Sequence, residues 1–255
     1  MCNSVDKKRL FLILLIIGTV FWGVSFPVTK LSMGNYSQTT FLFYRFLIAT
    51  ILLSLIFRKH LKRVNLRVFK TSISFALPLV FGIFFQTLGV KHGDANQCAF
   101  IAGMCVVIIP LLKTVFYKQN IAFRIWVAAF LALIGLGVIS ITERLSVNIG
   151  DIYTMIGAFG FSVYLIKIER YSKKENVLPT ISPMFMVCTL ITFILSLFDT
   201  NANWMPQNQT FWMGIAFCAM LPTAYMYGWG GQSEPPSAGQ TEHSKLSAQN
   251  RFICV

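Results

Sequence analysis

Long apolar runs alternate with short polar segments along most of this chain. Eight such runs lie near Leu10–Val28, Thr39–Phe57, Thr71–Val90, Asn96–Val115, Ile125–Thr142, Gly150–Ile166, Ser182–Leu197 and Thr210–Tyr227. Each has roughly 16–20 residues, about what a helix rising ~1.5 Å per residue needs to cross bilayer hydrocarbon. Backbone N–H and C=O groups must all be paired inside the lipid, so the runs predict helices. The two-residue alternation of a membrane β-barrel is absent. The expected fold is all-α: a polytopic membrane helix bundle with eight transmembrane helices. After Tyr227 the pattern stops, and a polar stretch of 28 residues follows.

Composition agrees with this reading. Hydrophobic residues make up 55% of the chain, charged residues 12%, and the mean hydropathy is +0.65. A 28.8 kDa soluble domain would need more polar material to cover its core. A bilayer removes that need, and membrane lipids become the first partner the sequence implies.

The basic residues add orientation. Lys7, Lys8, Arg9, Arg58, Lys59, Lys62, Arg63, Arg67, Lys70, Lys113, Lys118, Arg124, Lys167, Arg170, Lys173 and Lys174 fall on one side of the alternating loops. Only Lys30, Lys91 and Arg144 fall on the other. This asymmetry predicts a multi-pass protein of the inner (plasma) membrane with residues 1–9 in the cytoplasm. It also accounts for the net charge of +13 without a nucleic-acid partner, because the positive charges mark helix ends and form no single basic surface. Cys98, Cys105, Cys188 and Cys218 lie inside the runs, where cysteine is a small packing residue. No Cys/His spacing suits a metal, and no cofactor is expected.

An internal repeat organises the runs. Ile17-Gly18 aligns with Ile156-Gly157 at an offset of 139, and the same offset carries the second and third runs onto the seventh and eighth. Five helices per unit is an odd number, so the second unit enters the membrane inverted, as in many secondary transporters. The expected organisation is a complete first repeat of five helices (10–142) and a partial second repeat of three (150–227). A polar, disordered tail (228–255) follows. The offset demands a ninth helix near 235–254, where the sequence reads PPSAGQTEHSKLSAQNRFIC. A truncation or frameshift near residue 228 is one expectation for this mismatch, and a natural tail is the other.

Several segments resemble a known family. FWGVSFPVTK at Phe21–Lys30, YRFLIATILL at Tyr44–Leu53 and the run from Gln97 through Pro110 to Ser140 are similar to the EamA permeases of the drug/metabolite transporter superfamily. LPTAYMY at Leu221–Tyr227 looks like that family's eighth helix. The Trp-Gly of the first helix, the Arg of the second and the glycines near Gly135 and Gly137 carry the likeness. It implies ten helices in two inverted repeats of five, with both termini cytoplasmic. Two departures stand out. YKQN at Tyr117–Asn120 lacks the acidic residue the family often has there, and helices nine and ten are missing.

Polar groups within spans are costly and mark candidate sites. Arg45 is the clearest, either pairing with a substrate anion or snorkelling to the interface. Trp22, Ser25, Phe26 and Lys30 share a face of the first helix, with headgroup contact the simpler reading for Lys30. Gln86, Asn96, Gln97, Tyr153 and Tyr164 complete the candidate cavity. No Asp or Glu sits mid-span, and no phosphate loop or nucleophile–base pair appears, so no enzyme is expected. The expected function is a permease or exporter of the drug/metabolite type, moving a small organic metabolite by alternating access. The competing expectation is a truncated, non-functional remnant. A homodimer is one way to cover the shortened second half.

Overall fold

The structure is a computed structural model, and it describes residues 2–61, 64–140 and 148–225. Its elements in chain order are α1 (Cys2–Met33), α2 (Gln38–Ile56), α3 (Arg58–Leu61), α4 (Leu66–His92), α5 (Ala95–Gly103), α6 (Cys105–Tyr117), α7 (Phe123–Ser140), α8 (Ile149–Ser172), α9 (Leu178–Leu197) and α10 (Gln209–Cys218). A π-helical turn over Ala219–Tyr225 continues α10. No strand occurs among the described residues, and the architecture is an all-α helix bundle.

Short polar segments between the apolar runs stop and start these helices. Ser37, Asn65, Asp94, Asn148 and Asn208 precede α2, α4, α5, α8 and α10, and each accepts a bond from a backbone N–H of its helix's first turn. At α8 the cap is reciprocal, since Asp151 also accepts from the Asn148 N–H.

Six helical segments among the described residues are long and apolar enough to cross a membrane: Ile16–Met33, Gln38–Ile56, Leu66–His92, Ala95–Tyr117, Ile149–Ser172 and Leu178–Leu197. Their outer faces carry large apolar side chains such as Leu31, Leu55, Leu111, Phe116 and Leu190, as lipid contact requires. The two remaining predicted spans are described only in part. α7 and α10 occupy them, but residues 141–147 and 226–227 lie outside the description, as does the whole predicted tail at 228–255. The predicted Asn96–Val115 helix is broken at Met104, whose N–H reaches back only three residues to the Ile101 carbonyl next to the flexible Gly103. Helices α1 and α8 run past their predicted ends, to Met33 and Ser172, because polar residues continue a helix beyond the hydrocarbon.

Residues 139 apart meet at the centre of the bundle. Thr50 and Thr189 share a hydrogen bond of 2.8 Å at that separation. Phe46 and Phe185, one turn earlier on α2 and α9, face each other at 6.0 Å between ring centroids. Off this centre, contacts occur in matching pairs. Ser72 Oγ donates to the Thr180 carbonyl, and the residues that the same offset exchanges for them, Phe211 and Phe41, stack edge-on at 5.7 Å. Phe75 against Tyr171 has its counterpart in Gly214 against Ser32. α4 against α8 is thus repeated as α1 against α10, and α2 against α9 is its own counterpart. All three pairs run antiparallel, which is what a two-fold relation between oppositely inserted halves produces.

Candidate functional site

A cavity of about 280 Å³ lies where the two halves face each other. Its walls come from α1, α2, α4, α8, the start of α9 and the π turn. On α1, Trp22, Ser25, Phe26 and Thr29 fall on one face because they recur every three or four residues. The Trp22 indole lies 4.9 Å from the Phe161 ring of α8, making an aromatic corner. Ser25 Oγ donates to the Trp22 carbonyl at 2.6 Å, and Thr87 Oγ1 to the Ile83 carbonyl at 2.8 Å. These hydroxyls satisfy themselves within their own helices, so most of the wall is apolar.

Two side chains differ. Arg45 on α2 is only 8% exposed, so it does not snorkel out of the bundle. One guanidinium nitrogen, Nη2, donates to Thr223 Oγ1 at 3.3 Å, whereas Nε is buried with no partner. Gln86 on α4 is 6% exposed, and its Nε2 is likewise buried and unpartnered. Both residues line the cavity, and among the described residues none that lines it is acidic.

The π turn sets the position of Thr223. Pro222 has no N–H to give the Cys218 carbonyl four residues back, and in an α-helix its ring would collide with that carbonyl. The wider turn avoids the collision, and Thr223 Oγ1 takes over as donor to Cys218 at 2.8 Å. The same hydroxyl accepts from Arg45, so the proline-induced turn holds one end of the guanidinium.

Of the nine residues expected at the site, Trp22, Ser25, Phe26, Arg45, Gln86 and Tyr164 line this cavity. Asn96, Gln97 and Tyr153 do not. Gln97 Nε2 donates to Asp151 Oδ2 at 2.9 Å, tying α5 to the start of α8, and the Asn96 N–H donates to Asp94 Oδ1 at 2.8 Å in the turn from α4 to α5. Tyr153 packs between Phe85 and His92. Lys30, expected at the headgroups, donates instead to the Gly93 carbonyl at 2.5 Å, placing its charge at the negative end of α4. Thr29, Thr87, Phe161, Pro222 and Thr223 also line the cavity and were not anticipated. Thr29 continues the Trp22–Ser25–Phe26 face, and that spacing was the available signal.

Polar contacts tie the helices together at both ends of the bundle. At the end holding the cap of α2, Asp199 accepts from Ser37 Oγ and, at 2.7 Å, from Thr39 Oγ1. Burial pushes the Asp199 carboxyl upward, but the two hydroxyls, the Asn201 N–H and nearby Lys91 outweigh it and hold it below its usual value. Lys91 also reaches Gln38 Oε1 at 3.0 Å. At the opposite end Glu169 pairs with both Lys113 and Lys173, Arg67 pairs with Glu175, and Arg170 sits 4.4 Å over the Tyr117 ring.

Comparison with known proteins places this geometry in a family. Residues 9–141 match the EamA-like transporter family. The chain is 26% identical over 239 residues to the uncharacterized transporter YyaM of Bacillus subtilis, covering 88% of this chain and 78% of that one. An uncharacterized transporter of Archaeoglobus fulgidus is 30% identical over 190 residues, covering 74% of this chain, which spans 58% of its length. A crystal structure superposes with a TM-score of 0.65 at 12% identity, covering 88% of this chain and 80% of the other, and supports the fold alone. The apolar helices, the antiparallel exchange of halves and these matches converge: the chain is a multi-pass membrane protein of the EamA-like transporter family, a permease of the drug/metabolite type.

Proposed function

We propose that the chain resides in the plasma membrane with its N-terminus in the cytoplasm and moves a small organic metabolite through this cavity by alternating access. The observation that carries the reading is the position of the cavity. It lies on the boundary that the two-fold exchanges, with walls from α1, α2 and α4 of one half and α8, α9 and the π turn of the other. When two inverted halves rock against each other about such a boundary, a site on it faces each side of the membrane in turn. The volume lies near the lower end of the range for small-ligand pockets, roughly 300 Å³ and above. Transport also suits the wall chemistry better than catalysis, since among the described residues no nucleophile–base pair faces the cavity.

The test is release from proteoliposomes loaded with a uniformly carbon-13-labelled cell extract. Protein-dependent loss of a defined subset of metabolites is expected, and Thr87→Trp, which fills the cavity, abolishes it. Retention of every metabolite by vesicles holding correctly inserted native protein would refute the reading and would be the behaviour of a non-transporting remnant.

A further inference from the structure

We infer that the cavity is built for an organic monocarboxylate with an apolar or aromatic body, its carboxylate received by Arg45 Nε and Gln86 Nε2. The inference rests on the transport reading and adds the substrate class to it. Among the described residues five buried polar side-chain atoms lack a partner, and two of them, Arg45 Nε and Gln86 Nε2, sit on side chains that line this cavity. Both are N–H donors, so the ligand group they are missing is an acceptor. Arginine carries its charge permanently, and a buried charge without a counter-ion is costly. The ion pairs among the described residues all lie elsewhere, at Arg67, Lys113 and Lys173, and the inference assigns the charge that neutralises Arg45 to the ligand.

The remaining wall defines the ligand's other end. Trp22, Phe26, Phe161 and Ile83 offer apolar and aromatic surface, on which a ring or branched aliphatic body is favoured. A zwitterion would also need an anionic or doubly accepting partner for its ammonium, and among the described residues the wall has no carboxylate. The Ser25 and Thr87 hydroxyls are already committed as donors to helix carbonyls, which leaves them only neutral acceptor positions to offer. A dianion would bring one charge more than Arg45 neutralises. One negative charge and an apolar remainder match both parts of the wall.

Four probes with one ring and different charges separate the alternatives: phenylacetate, phenylalanine, phenethylamine and 2-phenylethanol. Binding of each to the full chain in nanodiscs is measured by isothermal calorimetry. Phenylacetate is expected to bind most tightly. Arg45→Gln should weaken it by about tenfold or more, the usual consequence of losing a charge-assisted contact, and Gln86→Leu should weaken it less. Arg45→Lys should fall between native and Arg45→Gln. Binding of 2-phenylethanol should be unchanged in all three variants, which also reports that they are folded. Tighter binding of phenylalanine or phenethylamine than of phenylacetate overturns the inference. So does phenylacetate affinity that is indifferent to Arg45→Gln. Either outcome leaves the transport reading standing if the labelled extract still yields released metabolites. If nothing is released, the transport reading fails independently.

Discussion

Where α4 meets α8, backbone faces backbone; where α1 meets α10, side chains come between. The two seams are counterparts under the exchange of halves, yet their chemistry differs. A Cβ placed on Gly150 would lie 2.5 Å from the Gly93 nitrogen and 2.6 Å from the Gly89 oxygen, and one on Gly157 would lie 2.7 Å from the Gln86 nitrogen and 2.8 Å from the Gly82 oxygen. None of those atoms can move without moving a helix. A Cβ on Gly214 would overlap only the Ser32 side chain, and beyond it the next atom is the Ser32 Cα at 3.7 Å. In lipid, helices gain little from burying apolar surface against each other, so close small-residue packing is a main source of association. The α4–α8 seam uses it fully, with glycines on both helices. Its counterpart relies on one glycine, the Thr29–Cys218 contact and a cluster in which Phe26 and Met33 of α1 are buried with Phe211, Ile215 and Cys218 of α10. One fold relation therefore yields a tight seam and a looser one, on either side of the same cavity.

Gly157→Ala should do the most damage. Forcing two helices apart by overpacking costs about 1–3 kcal/mol or more, and the monodisperse yield and unfolding midpoint in detergent should both fall sharply. No single substitution across the seam should restore them. Gly135, with nothing within 4 Å of its added Cβ, is the control, and its alanine variant should match the native protein. Recovery of Gly157→Ala by one partner change would show that the α4–α8 contact is not backbone-limited.

Gly214→Ala tests the looser seam. It should also destabilise, by about 1–2 kcal/mol, but Ser32→Gly in the same chain should return most of the loss, because the obstruction is one side chain. Failure of the double variant to recover would remove the difference drawn between the seams.

The smallest effect concerns pH. Asp199 joins the α9–α10 connection to the cap of α2, and its carboxyl sits below its usual value. A depressed carboxyl stabilises the fold above its unfolded value and loses that contribution as pH falls through the folded one. Stability should therefore decline as pH drops below about 4, and part of the decline should be absent in Asp199→Asn. Hydrogen exchange should show α10 loosening on that acidification before α8. An identical pH response in native protein and Asp199→Asn would sink this link.

Much of the fold was legible from pattern. Apolar runs marked the helices because lipid leaves only helices and closed barrels to satisfy the backbone, and the alternation of a barrel was absent. The offset of 139, read from little more than Ile17-Gly18 against Ile156-Gly157, is the separation at which Thr50 meets Thr189. Site residues were legible to the extent that they were both polar or aromatic and mid-helix. Trp22, Arg45 and Gln86 met that description and share one cavity. Gln97 and Asn96 met it less well, standing at a helix start, and the structure uses Asn96 in the turn between α4 and α5 and Gln97 to hold α5 to the start of α8. Phe161 and Pro222 carried no polar signal, and the break at Met104 had only Gly103 to announce it.

Sequence alone marked the apolar helical segments and the offset that relates the halves, because hydrophobic length and repeat spacing are properties of the chain taken in order. Tertiary structure decided which polar atoms are satisfied. Whether Lys30 reaches a headgroup or the Gly93 carbonyl depends on how α1 packs beside α4. Whether Arg45 is neutralised depends on what α4, α8 and the π turn bring to within hydrogen-bonding distance. Hydrogen bonds act over about 3 Å between atoms that are often a hundred residues apart in the chain, and no local pattern encodes that proximity.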